Sequence, residues 1–152
     1  MREAVIVSTA RTPMGKAFRG AFNDTEAPAL SGHAVKQAAK KAGIEGSEID
    51  DVIIGCAAQQ GTQSYNLGRL TATAAGLPNS VPGMTLDRQC ASGLMSIGFA
   101  AQSIMTGSMN IVAAGGVESI SMVQNKHKNT YRNVSKLVLS KSQYAYMQMI
   151  ET

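Results

Sequence analysis

The chain has 152 residues, 44% of them apolar and 16% charged, with no tryptophan and only 5% aromatics. That is enough to bury one core of single-domain size, and too little aromatic surface to stack nucleic-acid bases. The net charge of +4 sits in the tail: acids and bases balance through Glu118, and beyond it only Glu151 opposes Lys126, Lys128, Arg132, Lys136 and Lys141.

That tail reads as a solvated polar segment or as a surface for phosphates, including those of a nucleotide-bearing cofactor. No base-reading motif accompanies it, and no run approaches the roughly 20 apolar residues that span a bilayer. Neither nucleic acid nor a membrane is expected as a partner. Two cysteines in a chain that opens on a strand-like run, with no apolar leader segment, point to free thiols in a reducing, cytoplasmic setting.

In chain order, Ala4–Ala10 is a short β-branched run ended by Arg11-Thr12-Pro13, which predicts a buried first strand. A Gly-rich loop over 15–22 follows. The Asn23-Asp24-Thr25 cluster offers a cap, Pro28 suits a first helical turn, and Leu30, Ala34, Val35, Ala38 and Ala42 share one face until Gly43. Val52–Cys56 is a second continuous apolar strand. Leu67, Leu70, Thr71 and Ala74 make the stripe of a second helix stopped by Gly76 and Pro78.

Gly83–Asp87 predicts a third, shorter strand. Leu94, Ile97, Gly98, Ala101, Ile104 and Met105 then repeat at helical spacing among small residues, which predicts a buried helix ending at Gly107. Asn110–Ala114 closes the series as a fourth strand. Strands alternating with helices imply βαβ units, an α/β class and a mostly parallel sheet with helices on its faces. From about Val117 the composition turns to Ser, Asn, Lys and Gln, with a weak helical stripe at Val134, Leu137 and Val138.

Within Asp87-Arg88-Gln89-Cys90-Ala91-Ser92-Gly93-Leu94, Cys90 falls between a strand end and the first turn of a helix, where backbone N–H groups lack intrahelical partners. A helix start favours the thiolate, and its free N–H groups can hold an oxyanion, which is what attack on a thioester requires. Ala91, Ser92 and Gly93 leave room for the incoming thioester. The same arrangement also suits a small buried hydrophobe, so spacing alone leaves both roles open for Cys90. Cys56, closing an apolar strand, reads as an inert core cysteine. A disulfide between the two does not fit a reducing compartment, and paired metal-ligand spacing is absent.

The sequence resembles the thiolases in four separated segments, taken in order: Val5–Lys16 with Gly20 and Phe22; Val52–Cys56 with Gly61 and Asn66; Leu86–Leu94; and Val112–Ser119 with Ser121. The Cys-Ala-Ser-Gly-Leu segment is similar to the family's active-site signature, and the resemblance assigns the acyl-thioester nucleophile to Cys90. Asp87 stands where many relatives have Asn. The resemblance also implies a thiolase-like sheet with helices on both faces, comprising an incomplete N-terminal half over 1–118, without its last strand, and the start of a CoA-binding loop domain over 119–152. In that loop domain Met149 matches a methionine lining the acyl and pantetheine end of the pocket, though a core methionine would look the same. Gln148 stands where many short-chain biosynthetic relatives have His, a pointer towards a degradative or broader-chain enzyme.

Acyl-CoA and CoA are thus the implied substrates, with no covalently bound cofactor, and a homodimer or homotetramer is implied for the family. Thiolases take their base and second acid from Gly-His-Pro and Cys-x-Gly segments, with an Asn-Glu-x-Phe segment helping to hold the thioester oxygen. None of these occurs in residues 1–152. His33 reads as a helix-surface residue and His127 as a solvated tail residue. The expectation is a chain that stops inside the loop-domain insertion, leaves a sheet edge open, and shows no turnover alone. Two other readings remain: a ketoacyl synthase-type condensing enzyme, against which the Arg-Thr-Pro-x-Gly-Lys and Gly-Gly-Val-Glu-Ser segments count, and a non-catalytic acyl-CoA-binding module.

Overall fold

The computed structural model describes residues 2–125, 135–142 and 144. Three parallel strands form one sheet: β1 (Asp51–Gly55) lies between β2 (Gly83–Leu86) and β3 (Val112–Gly116). Val52 pairs with Gly83 on one side and with Ala113 on the other. The helices are α1 (Ala27–Ala42), α2 (Leu67–Ala75) and α3 (Ser92–Met105), followed by the short α4 (Ile120–Val123) and α5 (Lys136–Lys141). The α/β class and the parallel sheet expected from the sequence are observed.

All five residues of β1 are buried, as a strand covered on both faces must be. Side chains alternate along a strand, so the two faces separate cleanly. Val52, Ile54 and Cys56 join Val35, Leu67, Ala72, Ala75 and Val81 in the core beneath α1 and α2. Gly55 turns the other way, towards Ser92 at the start of α3, and Ile53, fully buried, shares that face. Helices therefore cover both sides of the sheet.

The contact between α1 and α2 is centred on small residues. A Cβ on Gly32 would lie 2.7 Å from the Cβ of Ala74, and Ser31 Oγ and Thr71 Oγ1 share a buried hydrogen bond of 2.6 Å. This close approach rotates α1 from its expected face: Ala27, Ser31, Gly32 and Val35 are buried, while Leu30, Ala34 and Ala38 are only half-buried. Pro28 occupies the first turn as expected, but the N-cap is Glu26, with no side-chain cap bond, rather than the Asn23–Thr25 cluster.

Three further expectations are corrected. Residues 4–10 form no helix and join no ladder among the described residues. A strand exists only through a partner's hydrogen bonds, and this segment is tied to α1 instead. Ser8 Oγ donates to the Ala38 carbonyl at 2.8 Å, and Lys41 Nζ to the Thr9 carbonyl at 3.2 Å. Val5, Ile6 and Val7 are consequently exposed rather than buried.

Next, β3 begins at Val112, not Asn110. The amides of Asn110 and Ile111 donate to the Asp50 carboxylate at 2.6 and 3.1 Å, which removes them from the ladder. Last, α3 is not a buried helix. Only Ser92, Ser96 and Ala100 are buried, and Leu94 is 75% exposed, with Met95, Ile97 and Phe99 also open to solvent. Among the described residues, only one face of α3 meets the sheet.

Candidate active site

Parallel strands collect their exits at one rim, and the carboxyl ends of β1, β2 and β3 deliver the loops beginning at Cys56, Asp87 and Val117 there. The β2 exit carries Cys90. Its backbone is bent by Gln89, whose φ of 52° lies in the left-handed region that side chains with a Cβ seldom occupy. Two polar side chains hold this bend. Asp87 Oδ1 accepts the Gln89 amide at 2.7 Å, a local turn that short acids favour. Ser92 Oγ accepts the Arg88 amide at 2.8 Å and donates to the Gln89 carbonyl at 2.6 Å.

Cys90 follows this bend and precedes the first residue of α3. It is exposed and free. A thiol in this position can reach an incoming thioester, while the two amides that follow it, of Ala91 and Ser92, already donate to the Arg88 and Gln89 carbonyls at 3.1 and 3.0 Å. The sequence-predicted nucleophile therefore lies at the predicted junction of strand end and helix start.

The helix start is seated on glycines of the neighbouring strands. A Cβ on Gly55 would overlap the Ser92 carbonyl carbon, and one on Gly116 would lie 2.8 Å from Gly93 Cα. Ser96 Oγ donates to the Gly115 carbonyl at 2.6 Å. No side chain larger than hydrogen fits at the first two contacts without moving backbone.

Cys56 is placed quite differently. It is buried and free, and its thiol donates to Glu118 Oε1 at 3.4 Å. Burial pushes the Cys56 thiol up to about 12, with the neighbouring Glu118 charge and hydrogen bond adding to the effect. It is a protonated core residue, as the sequence predicted. His33 is an exposed residue of α1. Lys136, Leu137 and Lys141 are exposed on α5, while Met149, Gln148 and His127 lie outside the described residues.

The residues that sequence reasoning missed are Asp50, Gln63 and Glu118. Gln63 is fully buried, donates Nε2 to Glu118 Oε1 at 2.6 Å and accepts the Ser119 amide through Oε1. Glu118 was visible only as part of a motif, without a role. The signal available was a carboxylate two residues past an apolar, Gly-rich strand, which has to find donors.

Comparison with known proteins gives the same family from independent directions. Residues 4–151 match the family described as thiolase, N-terminal domain. The chain is 43% identical over 152 residues to a 3-ketoacyl-CoA thiolase of Bacillus subtilis (strain 168), covering 100% of this chain and 38% of that protein. It is 37% identical over 167 residues to a beta-ketoadipyl-CoA thiolase of Pseudomonas putida, covering 100% of this chain and 42% of the relative. A crystal structure of the Bacillus anthracis acetyl-CoA acetyltransferase superposes with a TM-score of 0.76 at 38% identity, covering 80% of this chain and 30% of that one. The chain thus spans about two fifths of the length of these curated relatives.

Proposed function

Since the chain belongs to the thiolase family, whose N-terminal domain it matches over residues 4–151, we propose that it supplies the nucleophile of an acyl-CoA C-acyltransferase. The observation that carries this reading is the exposed Cys90 at the bend between β2 and α3. In thiolysis, Cys90 Sγ adds to the 3-oxo carbonyl of a 3-oxoacyl-CoA. Collapse of the oxyanion breaks the C2–C3 bond, and the electron pair leaves on C2, which takes a proton to become acetyl-CoA. The acyl group remains on Cys90 as a thioester until the thiol of free CoA displaces it. Condensation runs the same steps backwards.

The Cys90 N–H, at the helix start, is one donor to the oxyanion in both directions. Proton transfer falls to groups outside residues 1–152, since the Gly-His-Pro and Cys-x-Gly segments are absent from them. In this reading the polar stretch from residue 119 opens the region that binds CoA, with its basic residues assigned to the nucleotide phosphates and Met149 to the acyl end on the family resemblance alone. A homo-oligomer and a reducing, cytoplasmic setting complete the reading, the latter supported by the two free thiols. No helix of the described residues is long and apolar enough to cross a membrane.

The test is acyl transfer from radiolabelled acetyl-CoA, followed by peptide mapping, in a polypeptide that also carries the Gly-His-Pro and Cys-x-Gly segments. Label is expected on Cys90 and lost to background in Cys90→Ala. Label on Cys56, or on neither cysteine, refutes the assignment.

A further inference from the structure

β1 and β3 run in register to the pair Gly55 and Gly116, and one more backbone bond, from the Val117 amide to the Gly55 carbonyl at 3.1 Å, follows. Beyond that point Glu118 holds the two strand exits together. Its Oε2 accepts the Ala57 amide at 3.1 Å. Its Oε1 accepts the Ala58 amide at 3.1 Å, Gln63 Nε2 at 2.6 Å and the Cys56 thiol at 3.4 Å.

Every one of these neighbours is a donor, and they approach both oxygens. A carboxylate meets that demand, whereas an amide would turn its NH2 against an N–H. The orientation of Gln63 is fixed by the same logic. Its Nε2 faces Glu118 and the Ala58 carbonyl, the latter at 2.7 Å, while its Oε1 faces the Ser119 amide. Gln63 is fully buried, so each of these bonds would be costly to leave unmade.

This clamp lies one residue past Gly55 and two past Gly116, the glycines on which Ser92 and Gly93 rest. Ser92 and Gly93 are in turn two and three residues from Cys90. We propose that Glu118 and Gln63 are positioning residues for Cys90: the clamp fixes the exits of β1 and β3, and the glycine seat so fixed sets where the first turn of α3 holds the thiol. The proposal deepens the reading of Cys90 as acyl acceptor and rests on it. Neither residue touches the reacting atoms.

Gln63→Glu, nearly isosteric, tests it. At about pH 8 the variant opposes two carboxylates where one donor and one acceptor stood. As pH falls to about 6 the buried carboxyl introduced at position 63 is expected to take up a proton, and it can then donate to Glu118 as the amide did. The readout is the rate of acyl transfer from labelled acetyl-CoA to Cys90, in the same polypeptide as above, divided by the rate of the unaltered protein at each pH. The ratio is expected to be tenfold or more below one at the higher pH, with half-saturation by acetyl-CoA within twofold, and to climb towards one at the lower pH. Gln63→Met, which lacks any donor, is expected to stay slow at both.

A ratio near one at both pH values in a folded Gln63→Glu protein overturns the clamp, as does a depressed ratio that ignores pH. If Gln63→Glu fails to fold, Glu118→Gln decides by the same measure: a slowed turnover at unchanged half-saturation supports the clamp, and a wild-type rate overturns it. An unaltered protein that takes no label on Cys90 overturns the nucleophile reading and the clamp's role with it. Label on Cys90 in both unaltered and variant proteins at equal rates overturns the clamp alone.

Discussion

Cys56 and Cys90 are the same side chain in opposite circumstances. Cys56 is buried with its thiol pushed up to about 12, so at neutral pH it stays protonated, while Cys90 is open to solvent. Alkylation of the folded chain with iodoacetamide at about pH 8, read by mass spectrometry, is expected to modify Cys90 and spare Cys56; equal modification of both would contradict the packing around β1. The raised value of Cys56 also has a consequence for stability. Between the ordinary thiol value of 9.0 and about 12, the unfolded chain loses this proton and the folded one keeps it, so stability falls as pH rises through that window. Urea midpoints measured across it are expected to decline less steeply in Cys56→Ala than in the unaltered chain.

Which cysteine is which was legible in part. Cys56 closes an apolar strand, and burial follows from that pattern alone. The spacing around Cys90 suited both a nucleophile and a small core residue, because a helix start in a sequence does not say which side of it faces water. The bend at Gln89 and the bonds from Asp87 and Ser92 answered that, and both depend on backbone angles that residue types do not encode.

At the level of elements, the strands and helices from residue 27 to 116 were readable from periodicity, while their limits and faces were not. The start of β3 moved by two residues because Asp50, from the loop before β1, captures two amides of a segment some 60 positions away. Those bonds hold the Asp50 carboxyl below its ordinary value. The stability they contribute is present above the unfolded value of 3.8 and is lost as pH falls through the lower folded one. Asp50→Ala is therefore expected to lower the urea midpoint at pH 7 and to converge with the unaltered chain in acid.

The seat of α3 makes a sharper prediction. Gly55→Ala drives a methyl group into the Ser92 backbone, and a backbone neighbour cannot rotate away. A loss of about 1–3 kcal/mol in unfolding free energy is expected, accompanied by slower acylation of Cys90 because the same contact seats its helix. Gly98→Ala is the control: nothing lies within 4 Å of its Cβ position, and a helix interior favours Ala over Gly.

Among the described residues, exposed apolar side chains include two runs close in sequence: Val5, Ile6 and Val7 on the amino-terminal segment, and Leu94, Met95, Ile97 and Phe99 on α3. Patches of this kind mark surfaces that something else covers, or sites of association. Residues 1–152 by themselves are expected to bind the dye ANS and to associate as concentration rises. They are also expected to show no thiolase turnover, since the segments that supply the base are not among them; multiple turnover by the purified 152-residue chain would refute the assignment of proton transfer to those segments.

The sequence by itself determined the alternation of strand and helix, the parallel α/β class and, through its ordered motifs, the family; the same motifs single out Cys90 as the nucleophile we propose. These depend on local composition and periodicity, which are written along the chain. Only the tertiary structure decided that residues 4–10 join no ladder, that α3 rests on glycines and shows an open apolar face, and that Glu118 and Gln63 tie the exits of β1 and β3 together. Those outcomes depend on which distant groups meet, and a partner strand, a captured amide or a bare glycine surface exists only once the chain has folded.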